Sequence, residues 1–318
     1  MNSKYSVAVL LGGASSEAEV SRNSARQVGA ALQRAGHQVH SIELDAECPQ
    51  ALLDLRPDVV FPALHGPPGE DGTVQGFLEL LGLPYVGSGV HGSAVAMDKA
   101  VAKHIFRHHG LPVTEDIVVK TDGDDLGAIA ADIHQHLGPG VVIKPLNQGS
   151  AIGVTLLPNG GEIEPALASA LIFGNCLVEP FVMGREITVG VLQVADTLVP
   201  HPVIEIVTAQ EQWYDYENRY TPGNSKHLMP APMSSQLSEQ LQEIALTAHR
   251  CLGLSDLSRA DFIVTDNDDI TLLEVNTLPG MTQTSLYPEG ANAIGYSFSQ
   301  LVDHLVNLAV QRGPRTAI

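Results

Sequence analysis

Lysine is scarce in this chain: Lys4, Lys99, Lys103, Lys120, Lys144 and Lys226 are the whole set. Lysine and arginine together number 17 against 36 acidic residues, a formal net charge of −19. That balance argues against a nucleic-acid partner, because no basic surface exists to release phosphate counterions. It still permits a small anion held by a few local cations, so each lysine in an apolar or glycine-rich setting merits inspection. The three cysteines, Cys48, Cys176 and Cys251, are scattered and form no CxxC pair, as expected of reduced packing residues. No apolar run approaches the roughly 18 residues of a membrane helix. The opening MNSKYSVAVLLGG runs straight into a strand without a cleavable signal pattern, so the expected setting is cytoplasmic, with no membrane partner. Two nucleotide signatures are missing as well. Gly12-Gly13 is not GxGxxG, and no Gly-Lys pair supplies a Walker A loop.

What is present centres on Ser258–Thr282, SRADFIVTDNDDITLLEVNTLPGMT. Two apolar runs, 260–265 and 270–275, flank the cluster Asp266-Asn267-Asp268-Asp269, a hairpin signal. A turn centred on Asn267 and Asp268 places Asp261 opposite Glu274 and Arg259 opposite Asn276. Side chains alternate along strands, so these four share one face. Two carboxylates and an amide oxygen suit Mg²⁺ shared with phosphate, and the arginine can neutralise an anion. Four polar groups on a mostly buried sheet are costly unless paired or metal-bound, which favours a site over a merely soluble edge. The turn is not a calcium loop: counted from Asp266, Thr271 stands where an EF-hand needs glycine.

The 318 residues, 44% of them hydrophobic, suffice for two or three domains. Strands at 7–11, 38–43 and 59–64 alternate with helices, the first running from Glu17 to about Ala35 behind a Ser16/Glu19 capping box. This predicts a parallel, Rossmann-like first domain to about residue 95. Asp45 reads as a turn residue in preference to a ribose-binding acid. His65 closes the third strand, at the carboxyl end where open α/β sheets bind ligands, or it holds its own loop. A helix containing Met97, Asp98, Lys99 and Lys103 follows. Val141–Pro145 predicts a buried strand carrying Lys144, followed by the loop LNQGSAIG. The backbone N–H groups of Gly149, Ser150 and Gly153 there can face phosphate, although an ordinary hairpin turn fits equally. Residues 176–182 read as a strand bearing Glu179. Residues 186–194 and 197–207 read as an antiparallel pair, and Ser234–Leu252 as a helix. The irregular stretch 208–232 holds Trp213, Tyr214, Tyr216, Arg219 and Tyr220 and reads as a lid. A turn at 279–288 brings Ser285 to a helix start suited to a carboxylate, and 297–308 forms a last helix.

With these pieces in place, the chain resembles the D-alanine–D-alanine ligases of the ATP-grasp superfamily. The segments that carry the likeness are LLGGASSEAEVS, ALHGPPGEDGTVQG, YVGSGV, AMDK, VIKPLNQGSAIGV, REITV, YDYENRY, SRADF, LLEVNTLPGMT and SLYP. Their order and spacing make it specific. It implies an α/β ATP-grasp fold with an N-terminal Rossmann-like domain at 1–95, a central subdomain at 96–182 and a C-terminal one at 183–318. It further implies ATP, D-alanine and two Mg²⁺ (or Mn²⁺), and a homodimer. By the same resemblance ATP lies near Lys99, Lys144, Gly149 and Ala151, with Glu179 and Val182 at the adenine edge, Glu186 at the ribose and Arg219 on the loop. Asp261, Glu274 and Asn276 hold the metals, and Arg259 with the Gly280 N–H forms the oxyanion site. Glu17 holds the first D-alanine, linked to Ser150 and Tyr220; Ser285 and Leu286 hold the second, near His65. The chain departs from the family pattern at Ala151 (usually serine), Pro180 (usually lysine) and Arg219 (usually lysine). These changes bear on nucleotide affinity. A related ligase with D-lactate, D-serine or another acceptor is the alternative reading. A non-catalytic nucleotide binder would not need Arg259 and Gly280 beside the metal ligands.

Overall fold

The computed structural model describes residues 4–121, 125–208 and 224–315, which form three sheets. The first is parallel, in the order β2 (Gln38–Glu43), β1 (Ser6–Leu11), β3 (Val59–Pro62). Alternation along β1 sends Val7 and Val9 to one face and Ala8 and Leu10 to the other. On the first face they meet Val28 and Leu32 of α1 (Ala18–Ala35) and Leu301, Val302 and Leu305 of α10 (Phe298–Arg312). On the second they meet Leu52 of α2 (Cys48–Leu55) and Leu78 of α3 (Thr73–Leu80). The expected capping box at Ser16/Glu19 does not form. Glu17 occupies the cap position and donates its N–H to Ser15 Oγ at 3.1 Å, while Glu19 pairs with Arg22, which also binds Glu43. Asp45 is a turn residue, accepting at Oδ1 from the N–H groups of Glu47 and Cys48 ahead of α2.

The helix expected around Met97–Lys103 is two helices. α4 (Val90–Met97) stops at Asp98, whose carboxylate caps α5 (Lys99–His108) by accepting from the N–H groups of Ala100 and Val101. Lys99 and Lys103 therefore start a fresh helix, whose Ala102 and Phe106 pack into the core of the third sheet while Lys103 reaches Glu179 of the second.

That sheet is antiparallel, in the order β4 (Ile117–Val119), β7 (Cys176–Pro180), β5 (Val141–Pro145), β6 (Thr155–Leu157). Val141, Ile143, Cys176 and Val178 pack under α6 (Leu126–Leu137) and α7 (Ile163–Leu171). By alternation Val142, Lys144, Leu177 and Glu179 take the opposite face, with Val142 paired to Glu179 and Lys144 to Leu177.

The third sheet runs β11 (Ser225–Leu228), β10 (Ile204–Thr208), β8 (Arg185–Val194), β12 (Leu257–Val264), β13 (Ile270–Asn276), with β9 (Thr197–Pro200) also on β8. The single strand expected over 197–207 is two, β9 and β10. Pro200 and Pro202 flank the break and lack the N–H a continuous ladder requires. A short strand, β11, also lies inside the stretch expected to be irregular. Ile187, Val189, Ala260, Phe262 and Val275 meet Leu241 and Ala245 of α8 (Ser235–Cys251). The other face carries Thr188, Arg259, Asp261, Glu274 and Asn276, and at its end Leu192 and Leu257 join the core of the first sheet. The first and third sheets are tied by Asp256, which is fully buried: its Oδ2 accepts from the Gly87 N–H at 2.8 Å, and it pairs with Arg312. Arg312 also reaches the Tyr85 carbonyl, at 2.7 Å.

Candidate active site

The hairpin β12–β13 pairs Arg259 with Asn276 and Asp261 with Glu274, as the spacing predicts. The turn differs. Val264 pairs with Ile270 and Phe262 with Leu272, so the tip centres on Asn267 and a β-bulge at Leu273 follows. Without that extra residue Glu274 would point into the apolar layer and Val275 out of it. The bulge turns Glu274 onto the polar face and leaves Val275 buried.

On that face Arg259 grips Asp261 through two hydrogen bonds, Nε to Oδ1 at 2.8 Å and Nη2 to Oδ2 at 2.7 Å. Thr188, opposite Asp261 on β8, donates to Oδ1 at 2.6 Å, and Asn276 Nδ2 donates to Oδ2 at 3.0 Å. Lys99 Nζ stands 3.4 Å from Glu274 Oε2 and donates to the Gln148 carbonyl at 2.7 Å. Each carboxylate thus has a side-chain cation against it, and the cluster joins β12, β13, the start of α5 and the loop after β5.

Glu17, buried at the head of α1, accepts a hydrogen bond from Ser150 Oγ on that same loop. The approach is close enough that a Cβ at Gly149 or at Gly66 would stand 3.0 Å from Glu17 Oε2. Ser150 and Ala151 both adopt positive φ, 48° and 60°, as the loop doubles back beneath the first sheet. His65 is buried, with Nε2 3.2 Å from Ser24 Oγ and its carbonyl accepting from Ser15 Oγ at 2.7 Å. Burial, with the positive charge of Arg259 behind it, lowers its pKa to about 4, so the ring is neutral near pH 7.

Glu70 belongs to this cluster and was not singled out in the sequence. Its Oε2 accepts from the Gly66 N–H at 2.6 Å. Loss of water and the neighbouring Glu17 charge, with a smaller push from Glu274, raise its pKa to about 8 against the opposing Gly66 bond and Arg259. The signal lay in HGPPGED, where an acid follows two glycine turns that fold it back on the strand end.

Lys144 and Glu179 meet on the free face of the second sheet, Nζ to Oε1 at 2.5 Å. Lys103, which the sequence placed on a helix without a role, joins them: its Nζ binds Glu179 Oε2 at 2.6 Å. Burial alone would raise the Glu179 pKa, but Lys144 and Lys103 hold it down at about 2. Val182 and Glu186 lie further along, in the β7–β8 connection and at the start of β8, both half-buried. Gly280 and Ser285 are adjacent: a Cβ at Gly280 would stand 3.2 Å from Ser285 Oγ. Ser285 occupies the cap position of α9 (Leu286–Ala293), and its hydroxyl accepts from the Thr282 N–H at 3.2 Å and does not cap the helix. Leu286 is buried. Tyr220 and Arg219 lie outside the described residues, and with them most of the expected lid.

Among the described residues no group of three or more His, Cys, Asp or Glu side chains could hold a metal alone. Two carboxylates and an amide oxygen are instead a partial donor set of hard oxygens, of the kind that a polyanion and water would complete. Side-chain cations already resting on both carboxylates show that the position favours positive charge.

Comparison with known proteins gives one consistent set of relatives. The family described as D-ala D-ala ligase C-terminus matches residues 105–307, and D-ala D-ala ligase N-terminus matches residues 49–88. A curated D-alanine–D-alanine ligase of Desulforudis audaxviator is 44% identical over 309 residues, 96% of this chain and 99% of the relative. One from Methylobacterium radiotolerans is 43% identical over 307 residues, 94% and 96% of the two chains. Among solved structures, the Bacillus anthracis D-alanine–D-alanine ligase complexed with ATP superposes with a TM-score of 0.80 at 29% identity, covering 96% of this chain and 97% of that one. The D-Ala:D-Ser ligase VanG of Enterococcus faecalis superposes with a TM-score of 0.82 at 31% identity, covering 96% and 100%.

Proposed function

The chain belongs to the D-alanine–D-alanine ligase family and has its ATP-grasp fold, and from that premise we propose how its own residues carry the reaction. The activity is the ATP-dependent joining of two D-alanines to D-alanyl-D-alanine, for peptidoglycan precursor synthesis. The carboxylate oxygen of the first D-alanine attacks the γ-phosphorus and ADP leaves. The amine of the second attacks the resulting acyl carbon, phosphate leaves, and the ammonium proton is released. In this reading Glu17, oriented by Ser150, receives the ammonium of the first D-alanine. Arg259 and the Gly280 N–H face the oxygen that becomes anionic when the acyl carbon turns tetrahedral. Ser285 and the Leu286 N–H at the start of α9 receive the second carboxylate, with neutral His65 close by. Lys99, Lys144 and the loop from Gly149 through Ala151 hold the phosphates, and Glu179, Val182 and Glu186 hold the nucleoside. Asp261, Glu274 and Asn276 would hold two Mg²⁺ (or Mn²⁺), which supply charge neutralisation to the phosphates. Most of the rate then comes from positioning and charge.

The observation that carries the reading is the convergence of Glu17, Ser150, Lys99, Arg259, Asp261 and Glu274 from three sheets onto one polar face. Three domains, 1–95, 96–182 and 183–318, each containing the strands of one sheet, are part of it, as is a homodimer checked by light scattering. Among the described residues no helix is long and apolar enough to cross a membrane, and a cytoplasmic location with access to ATP completes the reading. The test is direct. Protein incubated with ATP, Mg²⁺ and D-alanine should release phosphate and the dipeptide in equal amounts, identified by mass spectrometry. D-Serine or D-lactate offered alongside D-alanine tests the acceptor. Mixed products in place of D-alanyl-D-alanine would move the protein to the related ligases, and phosphate without product would remove it from both.

A further inference from the structure

Lys103 is almost fully buried, on the first turns of α5, and its amine reaches no open surface. Its partners are Glu179 Oε2 at 2.6 Å, Thr114 Oγ1 at 2.9 Å and Asp116 Oδ1 at 3.5 Å. Thr114 Oγ1 also donates to Glu179 Oε2, at 3.2 Å. The other oxygen of Glu179 is taken by Lys144, at 2.5 Å. Asp116 is engaged more closely by Arg107, at 2.5 Å, than by Lys103. Arg107 therefore balances Asp116, Lys103 balances Glu179, and one positive charge is left over, on Lys144.

Lys144 ends β5, directly before the glycine-containing loop, whereas Lys103 sits behind Glu179 and cannot reach a ligand there. Removing the Lys103 charge would leave Glu179 cancelled by Lys144 alone, and the face would present a neutral pair to a polyphosphate. A charge behind a buried carboxylate acts through low dielectric and is felt more strongly than one in water. Lys103 also occupies both the carboxylate and Thr114, which stops Glu179 from swinging to hold Lys144 through both oxygens.

We propose that Lys103 is a positioning residue for nucleotide binding: by neutralising Glu179 from behind, it leaves the charge of Lys144 available to the phosphates. The inference rests on the ligase reading above and deepens its nucleotide site. It predicts a loss specific to the triphosphate. Lys103→Met should weaken binding of the slowly hydrolysed analogue adenylyl imidodiphosphate with Mg²⁺ about ten-fold or more, the scale of one partly screened unit charge. The KM for ATP should rise in parallel, while the KM for D-alanine stays within about two-fold.

The deciding variant is Lys103→Met combined with Glu179→Gln. Glu179→Gln also removes a proposed nucleoside contact, so each affinity for the analogue is compared with that for adenosine, which shares the contact and carries no phosphate. That ratio should fall about ten-fold in Lys103→Met. It should approach the wild-type value in the double variant, where neutralising both partners restores the net charge. Packing damage would not be repaired by a second substitution of this kind. Calorimetry measures each affinity, with a thermal melt to show that each variant is folded. If Lys103→Met does not fold, the double variant and the charge-keeping Lys103→Arg decide the matter: a ratio near wild type in both supports the proposal, and a ten-fold fall in either overturns it. A folded Lys103→Met whose ratio is within two-fold of wild type, or a double variant whose ratio is no higher than the single one's, overturns it while leaving the ligase reading intact. A wild type that binds no analogue overturns both.

Discussion

Glu70 and Glu274 show how one cluster gives two carboxyl groups different tasks. Glu274 lies against Lys99 and, as a proposed metal ligand, would supply a carboxylate that an amide could not replace. Glu274→Gln should fold normally and lose nearly all turnover at saturating Mg²⁺; near-normal phosphate release from the folded variant would exclude Glu274 as a metal ligand. Glu70 is withdrawn from water beside Glu17, and its pKa rises to about 8. In the unfolded chain it ionises near 4.5. Between those values the unfolded state has given up a proton that the folded state keeps, so Glu70 lowers stability progressively as pH rises from 4.5 to 8. Glu70→Gln removes the effect. Its melting temperature should match wild type at or below pH 4.5 and exceed it by a margin that grows up to about pH 8. A constant difference across that range would show that Glu70 is ionised throughout.

Two elements set the geometry of the site. The bulge at Leu273 aims Glu274, and a histidine wedge sets the start of α9. His201 is buried between β8 and α9, its ring 4.7 Å from that of Tyr287, whose hydroxyl donates to the Val191 carbonyl at 2.9 Å. The wedge fits only because glycine stands on both sides. A Cβ at Gly190 would lie 2.1 Å from His201 Nδ1, and one at Gly290 would lie 2.6 Å from it. Gly190 pairs with Arg259 across the ladder, while Gly290 lies in the helix that begins at Ser285 and Leu286. The ring therefore spaces the proposed oxyanion group from the proposed carboxylate pocket. Gly290→Ala should push α9 outward, raising the KM for the second D-alanine several-fold more than the KM for ATP and lowering the melting temperature. An equal change in both constants would place the damage elsewhere.

At the level of the whole molecule, pH dependence reports how many ionisable groups the fold has buried. Burial holds His65 and His249 at about 4 and His201 at about 3, against 6.5 when free. For each, the unfolded chain takes up a proton below pH 6.5 that the folded protein refuses, so stability falls as pH drops through that window. Glu70 acts in the opposite sense over 4.5 to 8. Above 6.5 the histidines no longer oppose it; below 6.5 the three of them outweigh it. Without ligands, the melting temperature should therefore peak near pH 6.5 and decline on both sides, more steeply on the acid side. Melts at constant ionic strength from pH 4.5 to 8.5 check this, and Glu70→Gln should flatten only the alkaline limb. A plateau from 6.5 to 4.5 would mean that the three rings take up protons in the folded state.

The sequence by itself determined the elements and much of the chemistry. Short runs between turn residues marked β1, β2, β5 and the hairpin, β1 and β5 as buried strands, and period-two alternation ordered the side chains of the hairpin. It also put Arg259, Asp261, Glu274 and Asn276 on one face, although by way of a two-residue turn that the chain does not use. The five-residue tip and the bulge offset each other, and no local signal separates those two routes to the same register. Tertiary structure decided what depends on several segments at once. Glu70 and Lys103 acquire their roles from neighbours tens of residues away: Glu17 across the strand ends and Glu179 across the second sheet. The split of one expected helix at Asp98, and of one expected strand between Pro200 and Pro202, was written locally and is legible once capping and missing N–H groups are weighed. The buried charge pairs, the histidine wedge and the meeting of three sheets at Glu17 and Glu274 were not, since desolvation and Coulomb energy depend on distances that only the folded chain sets.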